Sequence, residues 1–80
     1  MDIRTTIRNF ITTNFYVPDP ASLADDASLL DKGIVDSTGV LEVISFLEKE
    51  FSIQIEETEI LPENLDSIAQ LTAFVTKKKG

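Results

Sequence analysis

Cysteine, histidine and tryptophan are all absent from the 80-residue chain. Without cysteine there is no disulfide to brace the fold and no thiolate to act as a nucleophile. Without histidine as well, the commonest zinc sites and the usual proton acceptor for a serine nucleophile are missing, so a Ser-His-Asp hydrolase is excluded by inventory. Long apolar runs are missing too, and nothing approaches the length of a membrane span. Met1 to Ile11 carries Asp2, Arg4 and Arg8 and does not read as a signal peptide. A cytoplasmic protein is expected.

Basic residues are scarce in the body of the chain. Residues 9–76 hold only Lys32 and Lys49 against thirteen acids, and the whole chain has a net charge of −7. Nucleic-acid binding depends on clustered Lys and Arg, so it is not expected. An acidic body suits basic partner surfaces, although acidity also serves solubility alone. Asp25, Asp26 and Asp31 lack the alternating acids, glycine and twelfth-position Glu of an EF-hand loop, so no metal site is expected. The length fits one domain over residues 1–80 with a thin core and marginal stability.

What is present is helical periodicity. Ile3, Ile7, Phe10, Ile11 and Phe15 form one stripe, predicting a helix from Asp2 to Phe15 that Asp2 caps and Pro18 with Pro20 stops. Pro18 to Val35 reads as a long connection anchored by Leu23, Ala27, Leu29 and Leu30, and loops of that length in small domains are often functional. A second helix is expected from Ser37 to about Phe51 with Asp36 as its cap. It buries Val40, Ile44, Leu47 and Phe51, widened by Val43, and turns Glu42, Ser45 and Lys49 outward. Phe46 falls off that stripe, against the last helix or on a docking surface. Ser52 to Glu57 reads as an extended linker burying Ile53 or Ile55, and Glu57 to Leu61 as a short turn before Pro62. A last helix, Ser67 to about Thr76, is capped by Asp66, with Ile68, Leu71, Ala73, Phe74 and Val75 available to the core and Lys77 to Lys79 following. The fold class is all-α: a small three- to four-helix bundle with a long loop between its first and second helices.

Asp36-Ser37 stands where that loop meets the second helix. A hydroxyl there faces solvent at the positive end of the helix dipole, where a phosphodiester would find backbone N–H groups. Taken alone, Asp and Ser are also ordinary helix-start residues. Asp66-Ser67 is a second such pair, read as a plain cap because its helix is short and has no acidic face.

The stretch Leu30-Asp31-Lys32-Gly33-Ile34-Val35-Asp36-Ser37, followed by Glu42 and by Glu48-Lys49-Glu50-Phe51, resembles the acyl carrier protein family along the whole chain. That family's signature is Gly, two residues, then Asp-Ser opening an acidic helix. The resemblance implies an acyl-carrier-like bundle, and it implies that a phosphopantetheinyl transferase moves a 4′-phosphopantetheine arm from coenzyme A onto Ser37, with Asp36 as cap and recognition residue. The arm would hold an acyl or aminoacyl group as a thioester and carry it between enzymes, tethering raising its effective concentration at each. The implied partners are that transferase, an acyl- or aminoacyl-activating ligase and a downstream acyl-using enzyme, docking through Thr38, Leu41, Glu42, Ser45 and Glu48. The chain itself would be a monomer and not an enzyme. The Leu30 to Ser37 stretch is also similar to the D-alanyl carrier branch, whose members accept activated amino acids.

Two departures stand out. The family usually places Leu after the modified Ser and then often an acid, where this chain has Thr38 and Gly39. It commonly has an apolar residue eight positions after the Ser, where this chain has Ser45. The Thr38-Gly39 departure supports the competing expectation of an acidic helical interaction module that is never modified.

Overall fold

Asp2 opens the first helix, its Oδ1 accepting the Thr5 N–H at 2.7 Å. In the computed structural model, which describes residues 2–79, this helix is α1, Ile3–Asn14. Ile7 and Ile11 are fully buried from it, with Ile3 and Phe10 packed beside them. The helix ends before the prolines are reached. Phe15 is already extended and its ring turns toward the next helix, so packing and not Pro18 sets the boundary.

The second helix, α2, is Ser37–Phe51. It buries Gly39, Val43, Ile44 and Leu47, while Val40 and Phe51 sit half-buried at the margins of the expected stripe. Phe46 covers the first helix: its ring stacks on Phe10 with centroids 3.9 Å apart. Edge contacts from Phe15 to Phe10 and from Phe51 to Phe46 extend the stack into a four-ring column. As α1 numbering falls from Phe15 to Phe10, its contacts on α2 rise from Gly39 to Phe46, so the two helices run antiparallel.

Ser52 ends α2 in the left-handed region, at φ 54°. A side chain there is strained and glycine is not. Ser52→Gly should therefore stabilise the protein by about 0.5–1 kcal/mol, read as a rise in the midpoint of urea unfolding with an unchanged slope.

The connection between α1 and α2 contains one 3₁₀ turn, Pro20–Ser22, and buries Leu23, Leu29 and Val35. Leu30, expected as a further anchor, points outward instead. Gly33 makes the final bend at φ +69°, which glycine tolerates without strain. Asp25 fastens the middle of the loop. Its carboxylate pairs with Arg4 and Arg8, and its carbonyl accepts the Ala69 N–H at 2.8 Å.

Beyond the extended linker, in which Ile55 is buried and Ile53 half-buried, a 3₁₀ turn spans Glu57–Glu59. Pro62 does not merely end that turn. It starts a separate one-turn helix, α3, Pro62–Leu65, since a first helical position has no use for the missing N–H. The last helix, α4, is Ile68–Lys79 and buries Ile68, Leu71, Phe74 and Val75, leaving Ala73 exposed. Ser67 and not Asp66 caps it, accepting the Gln70 N–H at 3.0 Å, because the Asp66 carboxylate is engaged with the loop. The lysines lie inside its last turn and reach across: Lys78 pairs with Glu59 at 2.8 Å, and Lys79 donates to the Phe51 carbonyl at the end of α2. The result is all helical, with no strand among the described residues, around one core drawn from every long element.

Hydrogen bonding from Arg4 holds the Asp25 carboxyl below the ordinary range, and Lys78 does the same for Glu59. Groups depressed in the folded state contribute stability above their unfolded pKa and lose it as pH falls through the folded one. Thermal midpoints measured downward from pH 6 should hold until roughly pH 4 and then fall. The double variant Asp25→Asn, Glu59→Gln should start lower and fall less steeply.

Candidate functional site

Ser37 is the first residue of α2, and its side chain is exposed. The helix starts there because Asp36 supplies two acceptors: its Oδ1 takes the Gly39 N–H at 2.7 Å and its carbonyl takes the Val40 N–H at 2.9 Å. The N–H groups of Ser37 and Thr38 have no acceptor among the described residues, and neither does the Ser37 hydroxyl. A phosphodiester on Ser37 Oγ thus meets unused donors and the positive end of a fifteen-residue helix. The site has no histidine or cysteine, and no His/Cys/Asp/Glu group able to hold a metal occurs among the described residues.

Beside Ser37 lies an apolar groove of about 290 Å³. Val40 and Leu41 of α2 form one wall. Leu61, Pro62 and Leu65 form the other, and Leu30 closes one side. Ser37 is the single polar residue in the lining, so the hydroxyl stands at the rim of a trough that otherwise favours hydrocarbon. Of the four exposed large hydrophobics among the described residues, three, Leu30, Leu41 and Leu61, belong to this lining. Sequence periodicity did not reveal the trough. The Leu29-Leu30 pair reads as anchor, yet only Leu29 is buried, and Leu61 before a proline reads as loop.

The predicted docking residues separate into two groups. Thr38, Leu41, Glu42 and Ser45 are all exposed and, at intervals of three and four, form one continuous face of α2 starting beside Ser37. Leu41 is 63% exposed at its centre. Glu48 is half-buried, and its Oε2 accepts the Ile55 N–H at 3.0 Å, tying down the linker.

Gly39 has a steric explanation. A Cβ on it would lie 2.9 Å from Phe15 Cε1, and 3.3 Å from both Asp36 Oδ1 and Val35 Cγ1. The Phe15 ring occupies the space that a side chain at position 39 would take, so this departure is a packing choice beneath the helix start.

The family model described as "Phosphopantetheine attachment site" matches residues 5–75. A protein named "Probable acyl carrier protein PigG" from Serratia sp. (strain ATCC 39006) is 27% identical over 78 residues, covering 98% of this chain and 90% of its own length. A D-alanyl carrier protein from Streptococcus suis (strain 05ZYH33) is 30% identical over 77 residues, covering 96% and 95%. Another, from Abiotrophia defectiva, is 32% identical over 53 residues, covering 66% and 67%.

Proposed function

The chain belongs to the phosphopantetheine attachment site family, as a carrier protein bearing that arm, and we propose that the arm is attached through the hydroxyl of Ser37. The observation that carries this reading is the placement of Ser37. It is an exposed, unbonded hydroxyl at a helix start, on the rim of an apolar groove. In the transfer, Ser37 Oγ attacks the phosphorus that bears pantetheine in coenzyme A. The bond from that phosphorus to 3′,5′-ADP breaks, and the hydroxyl proton passes to the transferase. The chain supplies position and charge environment, and the transferase supplies the chemistry, in keeping with a chain that is not itself an enzyme.

The bound arm supplies a thiol for thioester chemistry that a cysteine-free chain cannot. Val40, Leu41, Leu61 and Leu65 offer apolar cover to the arm or its cargo, and the Ser37 and Thr38 N–H groups offer hydrogen bonds to the phosphate. Cargo of the acyl or aminoacyl class follows from the names of the relatives. The transferase, an activating ligase and a downstream enzyme would each meet the Thr38, Leu41, Glu42, Ser45 face, with basic residues opposite Glu42 and an apolar contact for Leu41. Asp36 belongs to the same recognition surface through its cap. Residues 1–80 act as one unit in this reading, as a monomer in the cytoplasm. Among the described residues no helix is long and apolar enough to cross a membrane.

The test is intact mass before and after incubation with coenzyme A and a broad-specificity phosphopantetheinyl transferase, followed by peptide mapping. A gain of one phosphopantetheine on the peptide containing Ser37 is expected. A folded protein of unchanged mass would favour the unmodified interaction module.

A further inference from the structure

We propose that Asp66, at the junction of α3 and α4, is a positioning residue for the attachment site, holding both the loop that delivers Ser37 and one side of the groove beside it. The proposal rests on the reading that Ser37 receives the arm.

Asp66 takes three hydrogen bonds from three consecutive loop residues. Its Oδ2 accepts from Ser28 Oγ at 2.6 Å, its carbonyl from the Leu29 N–H at 2.7 Å, and its Oδ1 from the Leu30 N–H at 2.9 Å. The sequence separations are 36 and 38 residues for the two carboxylate bonds, so this is a long-range clasp. The Ser28 hydroxyl also accepts the Asp31 N–H at 3.1 Å. Leu29 passes the restraint on: its carbonyl accepts the Ile34 N–H at 3.0 Å and the Val35 N–H at 3.3 Å. Val35 immediately precedes Asp36, the cap of α2. Two hydrogen bonds and one residue therefore connect Asp66 to the start of the Ser37 helix.

The clasp also joins the sides of the groove. Leu30, bonded to Asp66 Oδ1, lines it from the loop, and Leu65, the residue before Asp66, lines it from α3. The Asp66 N–H is itself fixed by Pro62 O at 3.0 Å and Gln70 Oε1 at 2.9 Å, so the anchor belongs to α3 and α4. Among the described residues no Lys or Arg pairs with Asp66, and the donors to its carboxylate, Ser28 and Leu30, are both neutral. Acceptor geometry, and not charge, is what it supplies. Asparagine can reproduce that geometry, its carbonyl oxygen facing Leu30 and its amide donating to Ser28.

A residue that places Ser37 changes the fraction of molecules presenting it correctly. The apparent affinity for the transferase then falls by that fraction while the saturated rate is kept. The experiment measures transfer from coenzyme A by the same phosphopantetheinyl transferase on the full chain, at a temperature where circular dichroism shows every variant folded. Amide hydrogen exchange at Leu29, Leu30 and Val35 is followed in parallel. Asp66→Ala should raise KM for the carrier about five- to tenfold, as expected for one or two lost hydrogen bonds, with kcat within about twofold and faster exchange at all three amides. Asp66→Asn should return KM to within about twofold of wild type. Arg8→Ala, which unties the far end of the same loop, should leave KM unchanged. If Asp66→Ala does not fold, Ser28→Ala removes one bond to Asp66, together with the acceptor of the Asp31 N–H, and should raise KM about two- to threefold. Wild-type KM in whichever of these two variants folds, a fall in kcat alone, or an equal rise in Arg8→Ala would overturn the proposal while leaving the attachment reading intact. A wild type that takes no arm would overturn both.

Discussion

Ser37→Ala will remain folded and will gain no mass from coenzyme A under conditions that load the wild type completely. The two halves of that result have separate causes. Loading fails because the hydroxyl oxygen is the atom that forms the new bond, and no neighbouring nucleophile can replace it. Thr38 is exposed but one residue further around the helix, and the chain has no cysteine. The fold persists because the Ser37 side chain is exposed and makes no hydrogen bond among the described residues. Helix initiation rests on Asp36, whose two acceptors are untouched. Alanine is the better helix former, so unfolding by urea should give a stability within about 0.5 kcal/mol of wild type. Ser67→Ala makes the matched control: it should load normally and lose about 1 kcal/mol, because that hydroxyl caps α4.

Gly39 offers the second large effect, and one whose sign should reverse with its neighbour. Replacing an interior helix glycine with alanine ordinarily gains about 1 kcal/mol. Here the added methyl meets Phe15 at 2.9 Å and presses on Asp36 and Val35, which hold the helix start. Overpacking of that kind costs about 1–3 kcal/mol, enough to cancel or outweigh the propensity gain. Gly39→Ala should therefore be neutral to destabilising by about 2 kcal/mol, and Gly39→Leu should lose about 3 kcal/mol. In a Phe15→Ala background the obstruction is gone, and Gly39→Ala should then stabilise by up to about 1 kcal/mol. Denaturant melts of the four proteins in this cycle give the coupling directly. Additive effects would show that the ring moves aside without cost and that Gly39 is not matched to it.

The bundle was legible because apolar spacing dominates each helix. Ile7, Ile11, Ile44 and Leu47 are read as core from sequence and are core in the structure. Boundaries were less legible where tertiary contact decides them. Phe15 leaves α1 to pack under α2, and Pro62 begins a helix in place of ending a turn. The cap of α4 moved by one residue because Asp66 had a distant use that local pattern cannot express. The proposed attachment residue is marked in the sequence by the Asp36-Ser37 motif and its surroundings. The groove was not, since its walls come from a loop, a helix and a single turn far apart in the chain, each contributing one or two leucines with no shared period. Glu48 looked like its exposed neighbours on α2 until the linker folded back onto it.

The two long walls of that groove differ in mechanical stiffness. The α2 wall is part of a fifteen-residue helix riveted to α1 by four phenylalanine rings in contact, so displacing it means unstacking an aromatic column. The opposite wall is a four-residue helix held by a few hydrogen bonds and the burial of Leu65. Compliance is therefore one-sided. A guest too bulky for about 290 Å³ would be accommodated by yielding of the short turn, while the helix that presents Ser37 keeps a fixed bearing toward any enzyme that approaches it.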